Sequence, residues 1–196
     1  MKIKAGKDLL LGFLYAPGKG DEINEPIWGR TRLEKMMFIF EKELAEGFYH
    51  NVDVALPEFI PYLYGPYSME LLDDLTLFIA LQFINETETS VAITGETASI
   101  QDTIQNENDD LWDEVSEENP SQYEKSYSLS EIGLEYTEQR VWSELTDIQK
   151  SVIIRLKTQI NNMLLDDLLN YVYNKYPEYA ENSIIREKYL GKEIRL

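Results

Sequence analysis

Cysteine is absent from the 196 residues, and histidine occurs once, at position 50. The first absence removes disulfides, thiolate catalysis and every cysteine-based metal site, and makes a reducing cytoplasmic setting the expected home. The second leaves no histidine cluster for zinc or non-haem iron, and no partner for a histidine-based triad other than His50 itself. A lone histidine near a helix end is read as a capping or surface residue. Apolar runs are short, none approaching the roughly 20 residues that a membrane-spanning helix needs. The start, "MKIKAGKDLLLGFLYAPG", imitates an export signal only in its lysines and brief apolar run. Asp8 abuts that run, Gly12 interrupts it and no clean cleavage site follows, so it is read as a first amphipathic helix.

Positive charge is scarce too: 18 lysines and arginines stand against 36 acidic residues, net −18. The imbalance is local. Residues 1–50 carry 8 basic and 8 acidic side chains, residues 51–150 carry 3 and 22, and residues 151–196 carry 7 and 6. A nucleic-acid binder gains affinity by neutralising phosphates with Lys and Arg, and the acidic middle does the reverse. The plainest role of such a block is a solvated surface that keeps the protein soluble. Other chemistries lack their parts. "APGKGDE" has neither the spacing of a phosphate-binding loop nor a strand before it. "NENDDLWDE" resembles a calcium loop only in its acidity, without the glycine at the sharp turn. No Asp or Glu has Lys two positions on, the pairing that metal-dependent nucleases use. Paired carboxylates are so abundant that no spacing can be singled out for glycoside chemistry. No enzymatic activity, cofactor or metal is expected.

What is present is helix patterning, with 43% apolar residues, enough for one sizeable core. The first helix is predicted over 5–15, ended by Pro17 and Gly18. "TRLE" offers a capping box between Thr31 and Glu34, opening a helix to about Glu46 that Gly47 stops. Its Leu33, Met36, Met37, Phe40 and Leu44 form one inward stripe, the methionines serving as core filler. Residues 51–64 read as extended, an edge strand by virtue of Pro57 and Pro61, turned by Gly65-Pro66. Ser68 caps a helix to about Ile84, with Glu70 near its positive end. Leu72, Leu75, Ile79 and Phe83 are its predicted inward stripe; Glu70, Asp73, Asp74, Leu77 and Leu81 lie opposite. Strands at 89–94 and 123–130 flank an acidic insertion at about 95–122, which Leu111, Trp112 and Val115 could partly order as a short helix. Ser128 with Glu131 and Thr146 with Gln149 suggest two more capping boxes, for helices to about Leu145 and onward through Ile148, Val152, Leu156 and Ile160. A last amphipathic helix, "MLLDDLLNYVYNKY", stops at Pro177.

Three helices, a long-tipped hairpin and further helices match a mainly α, α+β architecture: a winged-helix-like domain over 1–145 and a C-terminal helical extension over 146–196 packed on it. The stretches "GRTRLEKMMFIFEKEL", "FIPYLYGPYSMELLDDLTLF", "YSLSEIGLEY" and "LLNYVYNKYPEYAENS" together resemble the bacterial and archaeal YwgA-like proteins, from Gly29 to Ser183. Residues 30–85 more distantly look like the SocA-like (Panacea domain) antitoxins, which also join a lysine-bearing helix to a Gly-Pro segment. The first resemblance implies a cytoplasmic winged-helix-like domain with no assigned activity, the second a protein-neutralising role.

The helix that would read DNA in a winged helix here shows Glu70, Asp73 and Asp74, which repel phosphates. The expected function is therefore a non-enzymatic protein-binding module, antitoxin-like or regulatory. Acids would steer a partner with a basic surface, Leu77 and Leu81 would supply burial, and Tyr62, Tyr64, Tyr67, Arg30 and Arg32 would border the surface. The bland reading of those arginines is pairing with Glu70 or Asp74, and of the tyrosines, core edge. The alternative is a winged-helix transcriptional regulator touching DNA through Arg30, Arg32 and Lys35. A second copy of the chain is a further candidate partner; neither nucleic acid nor a membrane is expected.

Overall fold

Leu9, Leu10, Leu11, Phe13 and Leu14 are each at most 1% exposed, so helix α1 (Gly6–Tyr15) is apolar nearly all round rather than amphipathic. A helix of that kind belongs inside. The computed structural model, which describes residues 6–49, 56–90 and 123–191, wraps the remaining elements around it. The far end of the predicted strand 89–94, the acidic insertion and His50 lie outside these residues. The architecture is mainly helical with two small sheets. Among the described residues no helix is long and apolar enough to cross a membrane.

Strand β1 (Ile27–Trp28) leads into α2 (Arg30–Ile39) through Gly29, whose φ of 85° makes the cap without a side-chain bond. The helix thus starts before Thr31, and the expected Thr31–Glu34 capping box does not form: Thr31 sits inside the first turn and Glu34 is buried one turn on. Leu33, Met36, Met37 and Phe40 are buried as their spacing predicts. The helix does not stop at Gly47. It passes through a π-helical segment (Phe40–Leu44) into α3 (Ala45–Tyr49).

The hairpin that follows, β2 (Ile60–Tyr62) and β3 (Gly65–Tyr67), turns at Leu63–Tyr64, so Gly65-Pro66 opens the return strand instead of making the turn. Gly65 has φ +88°, and a Cβ there would stand 2.9 Å from the Tyr173 ring. Lys35, 1% exposed, reaches across from α2 to donate to the Pro66 carbonyl at 2.8 Å.

Ser68 caps α4 (Met69–Ala80) as expected, its hydroxyl accepting from Leu71 N at 3.3 Å. The helix ends four residues short of the predicted limit, because Gln82 turns out with φ 59° and Ile84 begins β4 (Ile84–Ser90). β4 pairs antiparallel with β5 (Tyr123–Leu129), and β1 adds to the other side of β5, Ile27 facing Tyr127. Two residues between Pro26 and Gly29 carry too little pattern to be read as a strand. Asn24 lengthens this edge: its amide donates to Leu129 O at 3.0 Å while its carbonyl accepts from Leu129 N at 2.6 Å.

Helix α5 (Glu131–Arg140) is capped by Ser130, not Ser128, which is still in β5. After a 3₁₀ turn (Trp142–Glu144), α6 (Asp147–Asn162) opens with the expected Thr146–Gln149 capping box, both bonds present at 3.3 and 3.0 Å. Its inward stripe is Ile153, Leu156, Lys157 and Ile160, leaving Ile148 exposed and Val152 half-buried, both predicted inward. Helix α7 (Leu165–Lys175), a 3₁₀ turn (Pro177–Ala180) and α8 (Arg186–Tyr189) complete the described chain, and Val172, Tyr173, Ala180 and Tyr189 join the same core as α1 and α2.

Arg32 ties α2 to this C-terminal part. Its guanidinium donates to Trp28 O at 3.2 Å and to two carbonyls at the end of α6, Ile160 O and Met163 O, the latter at 2.8 Å. A cation suits the negative end of a helix. Arg32→Ala is expected to lower stability by about 2 kcal/mol, read as a lower urea midpoint. Arg32→Lys should recover only part, since a lone ammonium that reaches the end of α6 leaves no second nitrogen to donate to Trp28 O.

Candidate surface site on helix α4

The outward face of α4 is exposed where its periodicity predicts, but the inward stripe is rotated from the expected Leu72, Leu75, Ile79 and Phe83, of which only Leu75 is fully buried. Leu71, Leu75 and Phe78 are buried, with Leu72 and Ile79 half-buried beside them, whereas Leu77 is 47% and Leu81 53% exposed. Glu70 and Asp73 are exposed on the same side and Asp74 is half-buried. Positions 70, 73, 74, 77 and 81 follow i, i+3, i+4, i+7 and i+11, so three acids stand at the N-terminal half and two leucines at the C-terminal half.

Charge is crowded at the acidic end. Burial raises the Asp74 carboxyl above its ordinary range, Glu70, Asp73 and Asp8 push it further, and Lys7 at the start of α1 opposes them. Glu70 also accepts from Glu58 N at 3.1 Å, which fixes the approach of the chain into the hairpin. A cation placed here would relieve repulsion among four carboxylates.

The apolar end extends beyond α4, which the sequence reading missed. Phe83 packs against Phe78 and, edge to face at 5.2 Å, against Tyr136 of α5. The Ser130 hydroxyl donates to Gln82 O, and the backbone of Gly133 lies against Phe83 O. Tyr136 is 37% and Ile132 56% exposed. They stand one turn apart beside the buried Gly133–Thr137 row, so the Phe78–Phe83 ring pair continues onto a second helix through Tyr136. The signal was available as the i, i+4 pair in "SEIGLEY", where Ile132 and Tyr136 straddle the glycine.

Of the bordering residues, the structure brings some together and removes others. Tyr62 and Tyr67 pack on each other across the hairpin with ring centroids 4.8 Å apart, both half-exposed. Burial raises the Tyr67 hydroxyl, the Glu34 carboxylate adds to this, and Arg30 opposes it, with Tyr62 and Asp73 close enough to contribute. Arg30, Glu34, Tyr62 and Asp73 therefore share one neighbourhood around Tyr67. Tyr64 does not belong to it: at 5% exposure it is part of the core. Nor does Arg32, which is engaged with the end of α6. Neither arginine pairs with Glu70 or Asp74 among the described residues.

Glu34 and Lys35 lie beneath this neighbourhood. Burial pushes the Glu34 carboxyl up and the Lys35 ammonium down, each partly offset by the other at 3.6 Å. Glu34 Oε1 has no hydrogen-bond partner among the described residues. Among those residues no group of three or more acidic or histidine side chains is arranged to hold a metal ion. No family model, curated protein or solved structure matches this chain.

Proposed function

We propose that the protein is a non-enzymatic binding module whose α4–α5 surface docks a basic, amphipathic segment of a partner protein, in an antitoxin-like or regulatory role. One observation carries the reading: Leu77 and Leu81 are about half exposed on the same face as Glu70 and Asp73. Leucines left in water beside acids are arranged for a partner that offers both apolar contact and positive charge. The order helix, strand, helix, helix, with a short hairpin (β2, β3) inserted before α4 and a β4–β5 hairpin after it, and sheet order β1-β5-β4, supports a winged-helix-like scaffold beneath the surface. The alternative of DNA binding has less to work with, since Arg32 is bonded to the end of α6 and Lys35 is buried under Pro66.

The test is fluorescence anisotropy with a labelled lysine–leucine amphipathic peptide of about 16 residues, some four helical turns. Leu77→Asp is expected to weaken binding at least about tenfold while leaving the circular dichroism spectrum and melting temperature unchanged, the side chain being outside the core. The sign is informative: the substitution adds negative charge, so an association driven by charge alone would tighten. Unchanged or tighter binding by Leu77→Asp would overturn the proposal, and a shifted DNA duplex at low ionic strength would favour the alternative.

A further inference from the structure

The π-helical segment Phe40–Leu44 has a use outside the α4 surface. In an α-helix, residues five apart point about 140° away from each other. Closing the turn from i to i+5 removes most of that difference, and such segments recur at functional sites. Here Ile39, Glu43 and Leu44 all line one cavity of about 250 Å³, walled on its other sides by α6 and by Tyr171 of α7 and partly open to solvent. Its walls are aliphatic, from Ile39, Leu44, Val152 and Leu156, with Arg155 and Gln159 as the polar groups contributed by α6.

The charges are arranged unequally. Burial works to raise the pKa of Glu43, but it accepts from the hydroxyls of Tyr171 at 2.7 Å and Tyr176 at 2.9 Å and pairs with Lys175 at 2.9 Å, which together hold it below the usual carboxylate range. The Glu43 charge is thereby spent within the fold. Arg155 is exposed, and no ion pair holds it among the described residues. The one acid on its own helix, Asp147, is two turns away, about 12 Å of rise. Every lining residue also comes from the charge-balanced ends of the chain and not from the acidic middle. Val152 and Arg155 are shared with a shallower depression that reaches Ile148, 70% exposed, with Ser151 and Asp147 on its lining. The surface past the guanidinium is therefore mixed, and Asp147 lies at its far end without an ion pair to Arg155 among the described residues.

We propose that this cavity binds a small amphiphilic carboxylate, its anionic group on Arg155 and its hydrocarbon chain against the aliphatic walls between the π-helical segment and α6. A guanidinium fork matches a carboxylate, and a single cation suits a monoanion better than a phosphate dianion. The volume lies below the roughly 300–1,000 Å³ of pockets for drug-sized ligands, which sets a short chain. The site is separate from the α4 surface, and its assignment does not depend on the function proposed for that surface.

Octanoate is the probe, compared with octanol, acetate and octyl phosphate by isothermal titration calorimetry on the full chain. Octanoate is expected to bind with a Kd on the order of 0.1 mM, the range open to a ligand of this size, while octanol and acetate bind at least about tenfold more weakly. Arg155→Gln should raise the Kd for octanoate at least about tenfold with the melting temperature of the unliganded protein unchanged, as expected for an exposed side chain. Val152→Trp, which fills the cavity from a half-buried position, should abolish binding. Absence of octanoate binding at millimolar concentration, equal binding of octanol, or an unaltered Kd in Arg155→Gln would each overturn the proposal. Tighter binding of octyl phosphate would overturn the choice of carboxylate.

Discussion

Gly133→Ala is expected to destabilise the fold by about 3 kcal/mol, lowering the melting temperature by roughly 6–12 °C for a chain of this size. Two effects compete at this position. Alanine is the better helix former by about 1 kcal/mol, so propensity alone predicts stabilisation. A Cβ on Gly133 would, however, stand 2.0 Å from Phe83 O and 2.9 Å from Phe83 C. Both atoms are backbone and cannot swing aside. Helix α5 would have to lift off the turn between α4 and β4, where Phe83 O accepts from Ser130 N at 2.9 Å and the Ser130 hydroxyl holds Gln82 O. Contact therefore outweighs propensity. The same movement would separate Tyr136 from Phe83, so binding of the basic peptide should weaken in this variant as well. Thermal and urea unfolding check the sign, and a gain in stability would show that the close approach is relieved without cost.

Lys157→Ala is expected to cost at least about 3 kcal/mol at neutral pH, through the void it leaves and two carbonyls that lose a donor. Lys157 is fully buried, and its ammonium donates to Leu14 O at 3.0 Å and Ala16 O at 2.6 Å, the negative end of α1. Burial depresses its pKa to about 7, with Glu25 the charge that resists the shift. Glu25 is itself fixed by Lys19 N, Gly20 N and the Asn161 amide, at 2.9, 2.6 and 2.9 Å. An unfolded lysine titrates near 10.4, so between pH 7 and about 10.4 the unfolded chain holds the extra proton. The proton-linked part of its contribution is accordingly absent below pH 7, rises across that window and is complete above it, on top of the pH-independent loss from the void and the two carbonyls. The difference in unfolding free energy between the parent and Lys157→Ala should grow as pH is raised from 7 to 10, at up to 1.36 kcal/mol per pH unit. A difference that stays flat with pH would show that Lys157 keeps an ordinary pKa.

The helix starts at Ser68 and Thr146 were legible because a cap and the amide it serves are three residues apart. The boxes placed at Thr31 and Ser128 failed for the converse reason. A neighbouring strand or a glycine at φ 85° moved the start of each helix, and no local motif reports that. The outward face of α4 was legible down to Leu77 and Leu81, since one helix's period decides which residues share a side. The roles of Arg30 and Arg32 were not. Two arginines two positions apart look alike in sequence, yet one lies beside Glu34 and Tyr67 and the other closes a helix whose carbonyls come more than a hundred residues later. Tyr62, Tyr64 and Tyr67 were equally alike, and only the hairpin's turn at Leu63–Tyr64 sent the middle one into the core.

By itself the sequence determined where charge accumulates, which residues begin two of the helices, and that α4 presents acids and leucines together, because each of these depends on composition or on neighbours within a few positions. Tertiary structure alone decided which cations are consumed at helix ends, that Phe83 links α4 to Tyr136 of α5, and that a π-helical segment, α6 and α7 line one cavity. Those features arise where segments far apart in the chain meet, and a hydrogen bond or a clash at such a meeting leaves no periodic trace in either segment.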